Sequence, residues 1–236
     1  MPKTWKLPKR KQPVWRVVKE IIRPFVKVKA VEFEGEQFPD TCIIVSNHDK
    51  KRGPVVFEIN LPIHHVTWGA HQMIGNYKDR FLYLRDVFYM QKNGVKKFPA
   101  TLRAGFEAIF SIYFYRGIKV LPTYPDRRFL KTIRWSMQVL ESGAAISLYP
   151  EDSDQGYFDI MTHFHPGFIM LSNTYYKKTG IDLPVFPMYY GRKKNKIVVG
   201  KPLYVQALAQ QGLSREEIAE TFKNEVNRLY YEYFQE

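Results

Sequence analysis

The segment 41–58, TCIIVSNHDKKRGPVVFE, runs from continuous hydrocarbon into a polar, cationic turn. Cys42, Ile43, Ile44 and Val45 do not alternate with polar residues. An unbroken apolar run of this length reads as a strand covered on both faces, as in a parallel or mixed sheet. It delivers Ser46, Asn47 and His48, then the cations Lys50, Lys51 and Arg52, then Gly53-Pro54. Proline is favoured at the first helical position, so a helix is expected to begin there. Strand, turn and helix in that order form the first half of an α/β unit.

The same alternation continues along the chain. VKAVEFEGEQFP (28–39) reads as a short strand with a glycine turn, and HHVTWGA (64–70) as another strand. TLRAGFEAIFSIYFYRG (101–117) places Leu102, Phe106, Ile109, Phe110 and Tyr113 on one helical face, with Gly117 as its end. GIKVLP (117–122) is a strand. RRFLKTIRWSMQVLESG (127–143) is a helix with Phe129, Ile133, Met137 and Leu140 turned inward and Gly143 as its stop. AAISLYP (144–150) is a buried strand, GFIMLSNTYYKKTG (167–180) a helix, and LPVFPMYY (183–190) and NKIVVGKPL (195–203) are strands. Ser214 and Glu217 are spaced as a capping box, followed by Ile218, Phe222, Val226, Leu229 and Tyr233 as a core face. The expected fold is a single α/β domain, residues 29–236, with a largely parallel or mixed central sheet flanked by helices. A basic amphipathic helix in the arm 1–28 precedes it. Chemistry in such sheets gathers where strands end, which points to His48 and to Pro150-Glu151.

With 236 residues, 45% apolar, the chain is long enough to bury a core. Its one cysteine, Cys42, permits no disulfide within the chain, so a reducing compartment is expected; its apolar neighbours make it a core residue rather than a nucleophile. The net charge of +13 is concentrated: residues 1–29 hold ten Lys or Arg and one Glu, a net +9. This arm lacks the long uncharged stretch of a secretory signal, and no apolar run in the chain reaches the roughly 18 residues of a membrane span. Trp15, Val18, Ile21, Ile22 and Phe25 repeat at helical spacing, with Arg16, Lys19 and Arg23 on the other side. A basic helix with aromatic residues on its apolar face suits an anionic bilayer surface, so the expected location is peripheral, on the cytoplasmic face of a membrane. A helix packed on its own domain is the alternative. Nucleic acid is not an expected partner, because no recognition motif accompanies the charge.

A histidine held at a strand end is suited to general base catalysis, since its pKa of about 6.5 lets it take a proton near neutrality. Asn47 is positioned to orient the turn or a substrate. The alternative is a histidine that caps the following helix.

In this context the chain resembles the glycerolipid acyltransferase family, typified by the 1-acyl-glycerol-3-phosphate acyltransferases. IIVSNHDKKRG matches the strand and the Asn-His of that family's first motif. ISLYPEDSDQG supplies Tyr149, Pro150 and Glu151 where the family has Phe-Pro-Glu. HPGFIMLSNTYYKKTG, LPVFPMYY and KIVVGKPLYV follow in the family's order, and RGIKVLPTYPD holds the place of its second motif. The blocks span roughly residues 28–235. The chain departs from the pattern at five positions. Gly53 stands where the family's aspartate follows the histidine, Thr123 replaces the second-motif arginine, and Asp152, Ser153 and Asp154 replace Gly, Thr and Arg of the third.

Two acids near His48 in sequence are candidates for the missing partner. Asp49 is adjacent and tends to point elsewhere. Glu58, one turn into the expected helix, is long enough to reach back and is preferred. Each has an ordinary reading as a surface or capping carboxylate. Lys50, Lys51 and Arg52 are candidates for binding an acceptor or donor phosphate in place of the family's arginines, or form a solvated basic turn. The resemblance implies that His48 deprotonates an acceptor hydroxyl, which attacks the thioester of acyl-CoA or an acidic acyl carrier protein. It also implies that Glu151, with Ser153 beside it, binds or orients a lysophospholipid or related glycerolipid acceptor, and that no cofactor or metal is needed.

Other constellations are weaker. His64, His65, His71, His163 and His165 lack the cysteines or the His-Glu-x-x-His spacing of a zinc site. Neither a glycine-rich phosphate loop nor a Gly-x-Ser-x-Gly elbow is present. The aromatic runs IYFYRG and LYYEYF would line an acyl groove or fill core. The alternative to an enzyme is a catalytically silent relative that binds lipid or an acyl carrier.

Overall fold

A computed structural model of the protein describes residues 5–9, 12–49, 52–151 and 156–235. The apolar run becomes β2 (Ile43–Ser46), the middle of an eight-stranded mixed sheet. Its neighbours are β5 (Ala145–Leu148) and β6 (Pro184–Gly191), both parallel to it. Outward from β5 lie β3 (His65–Ala70) and β4 (Val120–Thr123), again parallel. Beyond β6 lies β7 (Lys196–Val199), antiparallel to it, and then β1 (Ala30–Phe33), while β8 (Leu203–Tyr204) also pairs with β6. Five adjacent strands therefore end on one edge.

All four β2 residues are buried, and successive side chains enter opposite layers as the two-residue period of a strand requires. Ile43 and Val45 join a core with α5 (Phe129–Glu141), α6 (Gly167–Thr179) and α8 (Arg215–Tyr233). Cys42 and Ile44 join a second core with Val56 and Phe57 of α2 (Arg52–Asn60). Burial pushes the Cys42 thiol well above its ordinary pKa, so it stays protonated and inert.

The local signals act where they were read. Ser214 accepts from Glu217 N–H, Glu217 accepts from Ser214 N–H at 2.7 Å, and Ile218, Phe222, Val226 and Leu229 are buried. Gly143 follows α5 and Gly180 caps α6, at φ of +72° and +73°, the left-handed region glycine enters without strain. α7 (Val205–Gln210) links β8 to α8.

Between β3 and β4 the chain inserts a 3-10 turn (His71–Ile74), α3 (Tyr77–Leu82), a π-helical run (Tyr83–Gln91) and α4 (Lys97–Gly117). The expected stripe on α4 shares one face, but that face points outward. Ala100, Ala104, Ala108 and Ser111 are buried instead, because small side chains let α4 approach α3 and the π-helical run closely.

α1 (Pro13–Val26) lies against the domain. Trp15 is buried with its ring edge-on to Phe114, and Gly117 has no room for a side chain because a Cβ would stand 2.3 Å from the Trp15 ring. Val18 and Ile22 pack beside it on Ile118 and Val120. Ile21 and Phe25 are exposed, so the apolar residues of this helix divide between an inner and an outer face.

Candidate active site

A cleft of about 740 Å³ opens at the carboxyl ends of four parallel strands. His48 follows β2, His71 follows β3, Thr123 ends β4, and Tyr149 and Glu151 follow β5, and all five line the cleft. A parallel sheet concentrates loops from several strands at this edge, which is why residues distant in sequence meet there.

The turn that presents His48 is fixed from both sides. Asn47 is buried; its Nδ2 donates to the Tyr190 carbonyl (3.0 Å) and its Oδ1 accepts from Tyr190 N–H (2.9 Å), tying β2 to β6. This occupies the side chain expected to touch substrate. The His48 ring stands edge-on to Tyr149 at 4.5 Å between centroids and stacks on Tyr157 at 5.2 Å. His48 N–H donates to Glu151 Oε1 at 3.2 Å. Glu151 is in turn held by its own loop, which folds back so that Phe164 bridges to it and His165 N–H donates to the Pro150 carbonyl at 2.7 Å. Burial pushes the Glu151 carboxyl up to about 7, against the pull of the His48 N–H and of Lys92. The contact is to the main-chain N–H, so Glu151 fixes the turn that presents the imidazole to the cleft.

Glu58 is elsewhere. Its Oε1 accepts from Lys119 Nζ at 2.6 Å and from Lys19 Nζ of α1 at 3.2 Å, and it is buried in a cleft shared with those lysines rather than with His48. The carboxylate expected to reach back to the imidazole instead follows the lysines, because a buried charge needs opposite charge in direct contact. Burial raises the Glu58 carboxyl, but His65, Lys119 and Lys19 together bring it below its ordinary value. His65, itself buried, is drawn down to about 4 and is neutral at neutral pH, so the lysines supply the standing charge.

Gly53 shows why no aspartate stands there. A Cβ at this position would lie 2.2 Å from the His48 carbonyl oxygen. The first turn of α2 is folded directly onto the histidine backbone, with Arg52 N–H donating to the Asp49 carbonyl at 3.2 Å. Asp49 adopts φ +39° and lines a different cavity, beside Asp159 and Arg192. Arg52 also turns away from the cleft: Nε donates to Tyr190 Oη (3.1 Å) and Nη2 to the Phe25 carbonyl at the end of α1 (3.3 Å). Lys50, Lys51 and Ser153 lie outside the described residues.

Residues without a sequence signal complete the cleft. Lys92, just past the π-helical run, lines it with Nζ 5.7 Å from the Tyr157 ring centroid. Tyr83 comes from the same run. His71 Nδ1 lies 3.2 Å from the Thr123 carbonyl, and burial holds its imidazole below the ordinary value. Thr123 Oγ1, at the position of the family's arginine, is buried with no protein partner. No motif marks Lys92 or Tyr83; they reach the site only through the inserted helices.

Neither a family model nor a curated protein matches the sequence. Among solved structures, the chain is similar to the 1-acyl-sn-glycerophosphate (LPA) acyltransferase PlsC from Thermotoga maritima. The match has a TM-score of 0.51 and 13% identity, and covers 96% of this chain and 86% of that one. At that identity the likeness establishes the fold alone.

Proposed function

We propose that the protein is an acyltransferase that moves a fatty acyl chain from acyl-CoA or acyl carrier protein to a hydroxyl of a lysophospholipid or related glycerolipid. The observation that carries this reading is the cleft at the sheet edge where His48 and Glu151 meet, 103 residues apart in sequence. His48 takes the proton from the acceptor hydroxyl, whose oxygen attacks the thioester carbonyl. The tetrahedral intermediate collapses with cleavage of the C–S bond, and the imidazolium returns the proton to the departing thiolate. Glu151 holds the His48 backbone and, when ionised, favours the imidazolium. Lys92 is the cation on the cleft wall, among the described residues, suited to a phosphate on either substrate.

Purified protein given labelled acyl-CoA or acyl carrier protein and a panel of lysolipids should transfer acyl chains. His48→Ala should lower the rate by roughly 10²–10⁴-fold. Transfer that survives this substitution rejects His48 as the base.

A second reading has its own support. The tight turn at Gly53, with Glu58 and Arg52 committed to other partners, suits a silent relative that binds lipid or acyl carrier without chemistry. Lipid binding with no transfer from any donor would establish it. Under either reading the protein works at a membrane surface, with α1 as a docking element. No helix among the described residues is long and apolar enough to cross a bilayer.

A further inference from the structure

α4 is an amphipathic helix turned inside out. Its small residues face the domain, while Phe98 (75% exposed), Leu102 (61%), Phe106 (71%), Ile109 (51%), Phe110 (56%) and Tyr113 (71%) face outward. Their spacing of three or four residues makes one continuous stripe from Phe98 to Tyr113 along the helix. An exposed apolar face of this extent marks a surface that meets a partner.

Three observations identify that partner. The stripe is flanked by exposed Lys96, Lys97, Arg103 and Arg116, whereas the single acid of the helix, Glu107, accepts from Tyr89 Oη at 2.5 Å. Second, α1 carries a matching outer stripe of Val14, Val17, Ile21 and Phe25, beside Arg16 and Lys27. Third, the two helices touch at Trp15, Phe114 and Gly117, and a cleft of about 880 Å³ where the stripes meet is lined by Trp5, Tyr113, Lys6, Lys9 and Arg116. Aromatic residues with cations at their margins are the composition of a surface seated at lipid headgroups.

We propose that α4 lies in the plane of an anionic leaflet with its aromatic stripe among the acyl chains, and that α1 and α4 form one docking surface. From Phe98 to Tyr113 the stripe spans about 22 Å at 1.5 Å per residue, long enough to seat the domain in one orientation rather than tether it. Docking thus depends on a helix inside the catalytic domain as well as on the basic arm. This extends the membrane-surface reading above, and its test needs no acyl donor.

The full-length protein is mixed with phosphatidylcholine vesicles with and without phosphatidylglycerol. Binding should require the anionic lipid. Phe106→Ser with Phe110→Ser should weaken it by at least about tenfold, since each removes an apolar side chain buried in lipid. Tyr231→Ser, exposed on α8, should leave it unchanged. A polarity-sensitive fluorophore on Phe106→Cys, selective because Cys42 is buried, should report an apolar surrounding on anionic vesicles. Three results would each overturn the proposal: undiminished binding by the double serine variant, a label that stays in water on bound protein, or self-association of the native chain lost in that variant while vesicle binding persists. Because the readouts are partitioning and polarity, failure of acyl transfer and failure of docking are told apart.

Discussion

Glu58 is a buried carboxylate on α2 and Glu151 a half-buried one just after β5, and their surroundings make them opposites. Glu58 lies ten residues from His48, yet it is neutralised by Lys119 and Lys19 and anchors α1 to the domain. Glu151 lies 103 residues from His48, yet it accepts the His48 N–H and sits in the cleft with its pKa raised to about 7. A buried acid with full counter-charge stays ionised and serves as structure. One with a single backbone donor and a more distant lysine keeps its proton available near neutrality.

The largest test of that contrast lies on the structural side. Lys119→Met strips Glu58 of its closest counter-charge and should cost about 3–5 kcal/mol in urea unfolding. Adding Glu58→Gln should recover part of the loss, and acyl transfer per folded molecule should be unaltered. A drop in transfer with stability intact would place Glu58 in the site after all.

Glu151→Gln probes the other acid. The carboxyl rises from 4.5 to about 7 on folding, so its protonated form is favoured in the folded state. Its contribution is fully present below 4.5 and is lost as pH climbs through about 7. Glutamine carries no charge to bury. The variant should match the native protein near pH 4.5 and exceed it by roughly 2–3 kcal/mol at about pH 8.5. Parallel stability curves across that range would show that Glu151 is not desolvated as described.

The smallest expected effect is that of Arg52→Ala. Its bonds to Tyr190 and the Phe25 carbonyl are partly exposed, so unfolding stability should fall by about 1 kcal/mol. The KM for a lysolipid should not change. An increase in KM at unchanged stability would return Arg52 to the substrate-binding role suggested by its place after His48.

Much of the fold was legible because it depends on neighbours in the chain. The capping box at Ser214, the glycine stop at 143, and the doubly buried β2 arise from backbone geometry and side-chain period, which extend only a few residues. The same local reasoning found the α4 stripe but could not say which way it pointed. Periodicity defines a face, and whether that face meets protein depends on what else packs there; on α4 the alanines fit the close approach and the aromatic side does not. The choice of Glu58 as the imidazole's partner failed for a related reason. Distance along the chain stood in for distance in space, and the helix start at Arg52, folded tightly over Gly53, carried the carboxylate to the lysines.

What the residues alone determined is the α/β alternation, the strand that ends in His48, and the concentration of positive charge in the first 29 positions, because each is written in short-range pattern or composition. The tertiary structure alone decided which acid accompanies the histidine, that Arg52 clamps α1, that Lys92 and Tyr83 join the cleft, and that an aromatic helix faces outward. Those outcomes follow from parallel strands ending on a shared edge and from burial, which sets the energy of every charge and apolar surface and is known only once the layers have packed.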